Sequence, residues 1–141
     1  MINLTLTALV LVAFTVAIHA LGLTFLIRRL SLNAAARPQT FWAMTWQLVG
    51  VVWVLLLVHV LEVSLWAFFY LQWGLFPDAE SAFYFSGVTY STIGYGDLVL
   101  PTPWRMFSPI EGLVGILMCG FSGAFLVAVF ARLIGAKQKA A

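Results

Sequence analysis

Charge is scarce in this chain. Seven Lys and Arg and five Asp and Glu are spread over 141 residues, of which 63% are hydrophobic. About a quarter of a typical soluble domain is charged, so a water-borne globule is excluded. A net charge of +2 provides no basic face for nucleic acid. Cysteine occurs once, as Cys119; no disulfide can close within the chain, and the residue reads as a small packing group in an apolar block. There is no internal repeat and no segment with arginine at every third position, which excludes a voltage sensor. Nor is there a phosphate-binding glycine loop, a metal-ligand spacing or a nucleophile–base set. An enzyme, a resident cofactor and a small-molecule substrate are therefore not expected.

What fills the chain instead is long apolar blocks, with a mean hydropathy of +1.04. Three of them, residues 4–27, 46–73 and 108–134, are long enough to cross a hydrocarbon core of about 30 Å, which takes about 20 helical residues. A fourth stretch, 78–91, is too short to span and suits a re-entrant helix, with Asp78 capping its start and Glu80 at its positive end. The first block has no basic residue before it and too long an apolar core for a leader, despite Ala34-Ala35-Ala36 beyond it, so it reads as a retained helix. The predicted fold class is an all-α membrane protein with three transmembrane helices, a re-entrant helix and a loop.

Basic residues set the orientation. Arg28, Arg29 and Arg37 follow the first block and Arg132, Lys137 and Lys139 end the third, whereas Arg105 alone lies in the connection between the second and third. The first loop and the C-terminus are thus expected in the cytoplasm, and the N-terminus outside. Asp78, Glu80 and Asp97 fall on the outer side. Trp42 and Trp46 at the inner level, with Trp66, Trp73 and Trp104 at the outer one, make two aromatic belts.

Within the outer connection stands Thr92-Ile93-Gly94-Tyr95-Gly96-Asp97. Glycines at alternate positions open backbone conformations that a β-carbon forbids, so successive carbonyls can face one way and replace the water around a cation. Potassium channels are the known case: four such loops stack carbonyl rings around one axis. With Thr89, Ser91 and Thr102-Pro103-Trp104-Arg105, the segment from about 46 to 134 resembles the pore module of the bacterial-type two-transmembrane potassium channels, with one additional N-terminal helix. The resemblance implies an outer helix 46–73, a pore helix 78–91, a filter 92–97 and an inner helix 103–134, in a pore domain 46–141 that follows an N-terminal unit 1–45.

By that resemblance K+ sits on the carbonyls of Thr92, Ile93, Gly94 and Tyr95, with Gly96 completing the loop. Asp97 and the Tyr95 ring brace it from behind, supported by Thr89 and Ser91, and Gly115 lies where the resemblance implies a gating hinge, with Gly112, Gly120 and Gly123 as competing positions. Three positions depart from the family. Val88 stands where some members carry a glutamate bonded to the filter aspartate, and Tyr84 and Phe85 stand where Trp is common. The inner helix has two possible starts, Thr102-Pro103, favoured by the resemblance with a bend at Pro109, and the capping pattern Ser108-Pro109-Ile110-Glu111. Glu111 is then a cap or a polar contact near the filter.

One loop per chain cannot enclose an axis, so a homotetramer in the cell (inner) membrane is expected. Cys119, Gly120, Gly123, Ala124, Val127, Ala128 and Ala131 share one helical face, which suits either close subunit contact or packing on the outer helix of the same chain. The chain ends seven residues after Ile134, so no ligand-binding domain is expected there. His59 and Glu62 share a face of the second block, with His19 at similar height in the first. Ionisable groups at such depth are costly and point to function, either a bonded pair holding helices or a proton sensor. The function expected is passive, K+-selective conduction; a non-selective cation channel and a non-conducting accessory subunit are the alternatives.

Overall fold

The computed structural model describes residues 3–32 and 40–138. Arg37, Lys139 and the Ala34-Ala35-Ala36 run lie outside the described residues, as does the side chain of Lys137. The elements in chain order are α1 (Leu4–Leu32), α2 (Phe41–Gln72), α3 (Ala79–Tyr90) and α4 (Phe107–Gln138), with one 3-10 turn, Trp104–Met106, leading into α4. No strand occurs among the described residues. Three helical segments are long and apolar enough to cross a membrane. α3, with 12 residues, is only about 18 Å long and cannot. The protein is an all-α, multi-pass membrane protein.

Local chemistry moves two helix starts away from the hydropathy edges. α2 begins at Phe41 rather than 46, because Thr40 caps it, its Oγ1 accepting from the Ala43 amide at 3.3 Å. α4 begins at Phe107, so Ser108 is already inside the helix and does not cap it. The preceding turn at Trp104 makes the approach from Pro103 helical in hand but tighter in pitch.

α1 lies antiparallel on α2. Its buried residues, Ala8, Leu11, Thr15, His19 and Leu26, recur at helical spacing as one stripe. Thr15 Oγ1 accepts from Trp66 Nε1 at 3.0 Å, and Gly22 lets the backbone approach until a Cβ there would stand 2.4 Å from Val58 Cγ2. Lipid is as apolar as leucine, so bonds and close approach of this kind associate helices where hydrophobic burial does not. Trp66, expected in the outer belt, is instead wholly buried in the core, its indole N–H satisfied by that bond. Near the other end Leu26 packs with Val51, Leu55, Val129 and Leu133, which brings the C-terminal ends of α1 and α4 together. The core around α3 joins Trp66, Tyr70, Phe76, Phe85 and Phe107.

Candidate functional site

α3 is held at both ends by its own sequence. Asp78 accepts from the Ser81 amide at 2.7 Å, and Ser91 Oγ returns to the Gly87 carbonyl at 2.7 Å. Past Ser91 the chain folds back on the helix: Thr92 N donates to Thr89 O at 2.9 Å and Gly94 N to Val88 O at 3.0 Å. The 92–97 loop therefore starts at the helix's negative pole. Its φ angles are +62° at Thr92, +52° at Gly94 and +79° at Gly96, left-handed backbone at every second residue. Gly94 and Gly96 adopt that region at little cost. A β-branched Thr92 there is strained, as happens where surrounding structure over-determines a functional backbone. In the isolated chain the loop is exposed, with Tyr95 at 69%, so its ring is not packed within its own chain.

Behind the loop, Tyr84 donates its hydroxyl to Asp97 Oδ2 at 2.8 Å. That bond holds the Tyr84 phenol above its ordinary value, with smaller contributions from desolvation and the Asp97 charge. Phe85 has no such bond and packs on Tyr70 and Phe76 at 5.3 and 4.9 Å between ring centroids. Val88 supplies no carboxylate; the one that meets α3 comes from α4, at Ser86. Glu111 is fully buried and accepts from Ser86 Oγ at 2.5 Å and Tyr70 Oη at 2.6 Å, tying α3 and α2 to the start of α4. Glu111 is thus a buried polar contact between helices and not a helix cap.

Gly115 packs against the end of α3: a Cβ there would stand 2.1 Å from the Tyr90 carbonyl oxygen, and one at Gly112 3.3 Å from that of Thr89. α4 runs unbroken through Gly115. Close backbone contact accounts for this glycine in the present conformation. The small-residue stripe of α4, Cys119 included, is exposed in the isolated chain; packing on the outer helix of the same chain is therefore ruled out for it, and Cys119 is not an internal packing group.

A family model described as "Ion channel" matches residues 56–133, more than half of the chain. The chain belongs to this ion channel family. No curated protein and no solved structure matched it. In the channel, the matched region takes in most of α2, all of α3, the loop and α4 to Leu133.

His59 and Glu62 are brought together in the channel, and with more partners than their spacing announced. Glu62 is fully buried; its Oε1 lies 3.0 Å from His19 Nδ1, and its Oε2 lies 3.0 Å from His59 Nδ1 and accepts from Tyr90 Oη. His59 Nε2 meets Ser122 Oγ at 3.0 Å. All four helices enter this cluster. Tyr90 and Ser122 give no signal in sequence, since aromatics and small hydroxyl residues are routine in spans. Ser86 and Tyr70 were missed for the same reason.

Proposed function

We propose that the channel conducts K+ selectively and passively through a filter made by residues 92–97 of four copies. The observation that carries this reading is the alternation of left-handed backbone at Thr92, Gly94 and Gly96, in the order T-I-G-Y-G-D, at the carboxyl end of a short capped helix. In a regular strand successive carbonyls point to opposite sides. Alternating the hand lets the carbonyls of Thr92, Ile93, Gly94 and Tyr95 face one axis and stand in for the hydration shell of the ion. The negative pole of α3 lowers the cost of a cation below the filter.

Asp97, held by Tyr84, steadies the outer end, and Thr89 and Ser91 anchor the inner one. Tyr95, unpacked in its own chain, is available to a neighbour. A homotetramer is the smallest closed assembly that gives the loop four carbonyl sets. The exposed α4 stripe supports it, because small residues let inner helices approach. Arg28, Arg29 and Arg132 end helices whose C-terminal ends pack together, which supports a cytoplasmic C-terminus and an outer filter mouth in the cell (inner) membrane. The pore domain runs over 46–141, K+ is the permeant ligand, and no cofactor is required.

Bi-ionic reversal potentials of the purified channel in planar bilayers test the reading. A shift showing preference for K+ over Na+ is expected. Equal permeability makes it a non-selective cation channel, and no current over a working control makes it an accessory subunit.

A further inference from the structure

The cluster around Glu62 offers its protons unequal places, and this decides where charge sits. Oε1 and Oε2 of Glu62 face His19 Nδ1, His59 Nδ1 and Tyr90 Oη. His59 Nδ1 also lies 3.1 Å from Tyr90 Oη, but the Tyr90 hydrogen goes to Glu62 Oε2. Three donors converging on one carboxylate favour its ionised form, and both rings then carry hydrogen on Nδ1. With both rings neutral, the cluster would hold a net negative charge among apolar helices, an expensive state. One further proton on an Nε2 removes it.

The two Nε2 atoms are not equivalent. That of His19, a residue only 2% exposed, has no hydrogen-bond partner; a proton there would be an orphaned buried N–H. That of His59 lies 3.0 Å from Ser122 Oγ, a hydroxyl that can accept. On α4, Glu111 is already engaged by Ser86 and Tyr70, and the Cys119 thiol lies on the exposed stripe. The same asymmetry speaks against a metal. The ligand atoms of His19, His59 and Glu62 lie within 4.8 Å of one another, but a metal on His19 Nδ1 would push that ring's hydrogen to the partnerless Nε2. Metal-bound histidines normally give that hydrogen to an acceptor.

We propose that His19, His59, Glu62, Tyr90 and Ser122 form an intramembrane proton-binding site in which His59 is the charged imidazolium, Glu62 its carboxylate counter-ion and His19 a neutral ring protonated on Nδ1. The site is shared by all four helices, and the acceptor that completes it belongs to α4. If α4 moves and takes Ser122 away, His59 loses that acceptor, so the cluster binds its extra proton more weakly. By linkage the sign is fixed: the packed arrangement binds more protons than one with α4 displaced, so acid favours it and alkali releases it. This does not depend on which ion the pore passes.

The chain has only two histidines, so nitrogen NMR of the full channel in bilayers, labelled with 15N-histidine, reads four ring nitrogens. At about pH 7, where histidine charge is poised, one ring is expected with both nitrogens protonated and the other with Nδ1 protonated and Nε2 bare. The doubly protonated pair should vanish in His59→Gln. Ser122→Ala, a small change, should weaken proton binding at His59 about tenfold, a downward midpoint shift of about one pH unit. Two neutral rings, a charge on His19, or a His59 midpoint unmoved by Ser122→Ala would each overturn the proposal.

Discussion

Tyr84, which stands where Trp is common in the family, holds Asp97 with one phenolic hydrogen bond of 2.8 Å. A phenolic O–H here donates where an indole N–H would. Tyr84→Phe should keep the fold and loosen the outer end of the loop, measured as faster amide exchange at Asp97; unchanged exchange would mean that Asp97 needs no brace. The pH dependence has a definite sign. A phenol donating to a carboxylate is raised above its ordinary value of about 10. The contact is therefore complete below that pH and lost only as pH climbs through the raised value. Glu111 is a different case. Glu111→Ala would leave the buried Tyr70 hydroxyl without its acceptor and open a cavity, a loss of about 2–4 kcal/mol. Thermal unfolding in detergent should show a lower midpoint for it, with Glu111→Gln falling between it and wild type.

Helix against helix, glycine placement decides how close the backbones come. Gly115→Ala would push a Cβ to 2.1 Å from the Tyr90 carbonyl, which neither backbone can yield, so a destabilisation of about 1–3 kcal/mol is expected. Gly50→Ala has nothing within 4 Å of the new Cβ and should be neutral or slightly stabilising through helix propensity. Equal melting temperatures for the two variants would refute the contact. This also means that Gly115→Ala disturbs packing whatever the helix does in gating, so it cannot isolate a hinge. On α1, Thr15→Val removes the acceptor of the wholly buried Trp66 indole. A loss of about 1 kcal/mol should appear in the same assay and shrink when Trp66 is already Phe. Thr15, His19 and Gly22 recur at helical spacing along α1, but nothing in that spacing named the partner residues.

For the assembled molecule, the exposed stripe of α4 carries the expectation. Ala124 is exposed in the single chain, so Ala124→Leu should leave its fold intact while weakening assembly. Light scattering on purified protein would then report smaller particles than wild type; an unchanged mass would move the subunit contact elsewhere. Trp42, Trp46 and Trp73 remain exposed at 67%, 68% and 43%, as belts at a membrane surface require. Trp66 left its belt because a tryptophan can serve equally as a lipid anchor or an internal donor, and composition does not separate the two uses.

Sequence alone determined the number of spans, the short helix between the second and third, and the loop that begins where that helix ends. These follow from runs of apolar residues and from backbone freedom at glycine, which are properties of neighbours along the chain. Only the tertiary structure decided that Thr92 shares the left-handed alternation, that Glu111 clamps α2 and α3, and that Glu62 gathers His19, His59 and Tyr90. The Glu111 clamp and the approach of His19 and Tyr90 to Glu62 depend on groups distant in sequence being brought close, and in an apolar medium a polar side chain takes whichever partner the packing brings near.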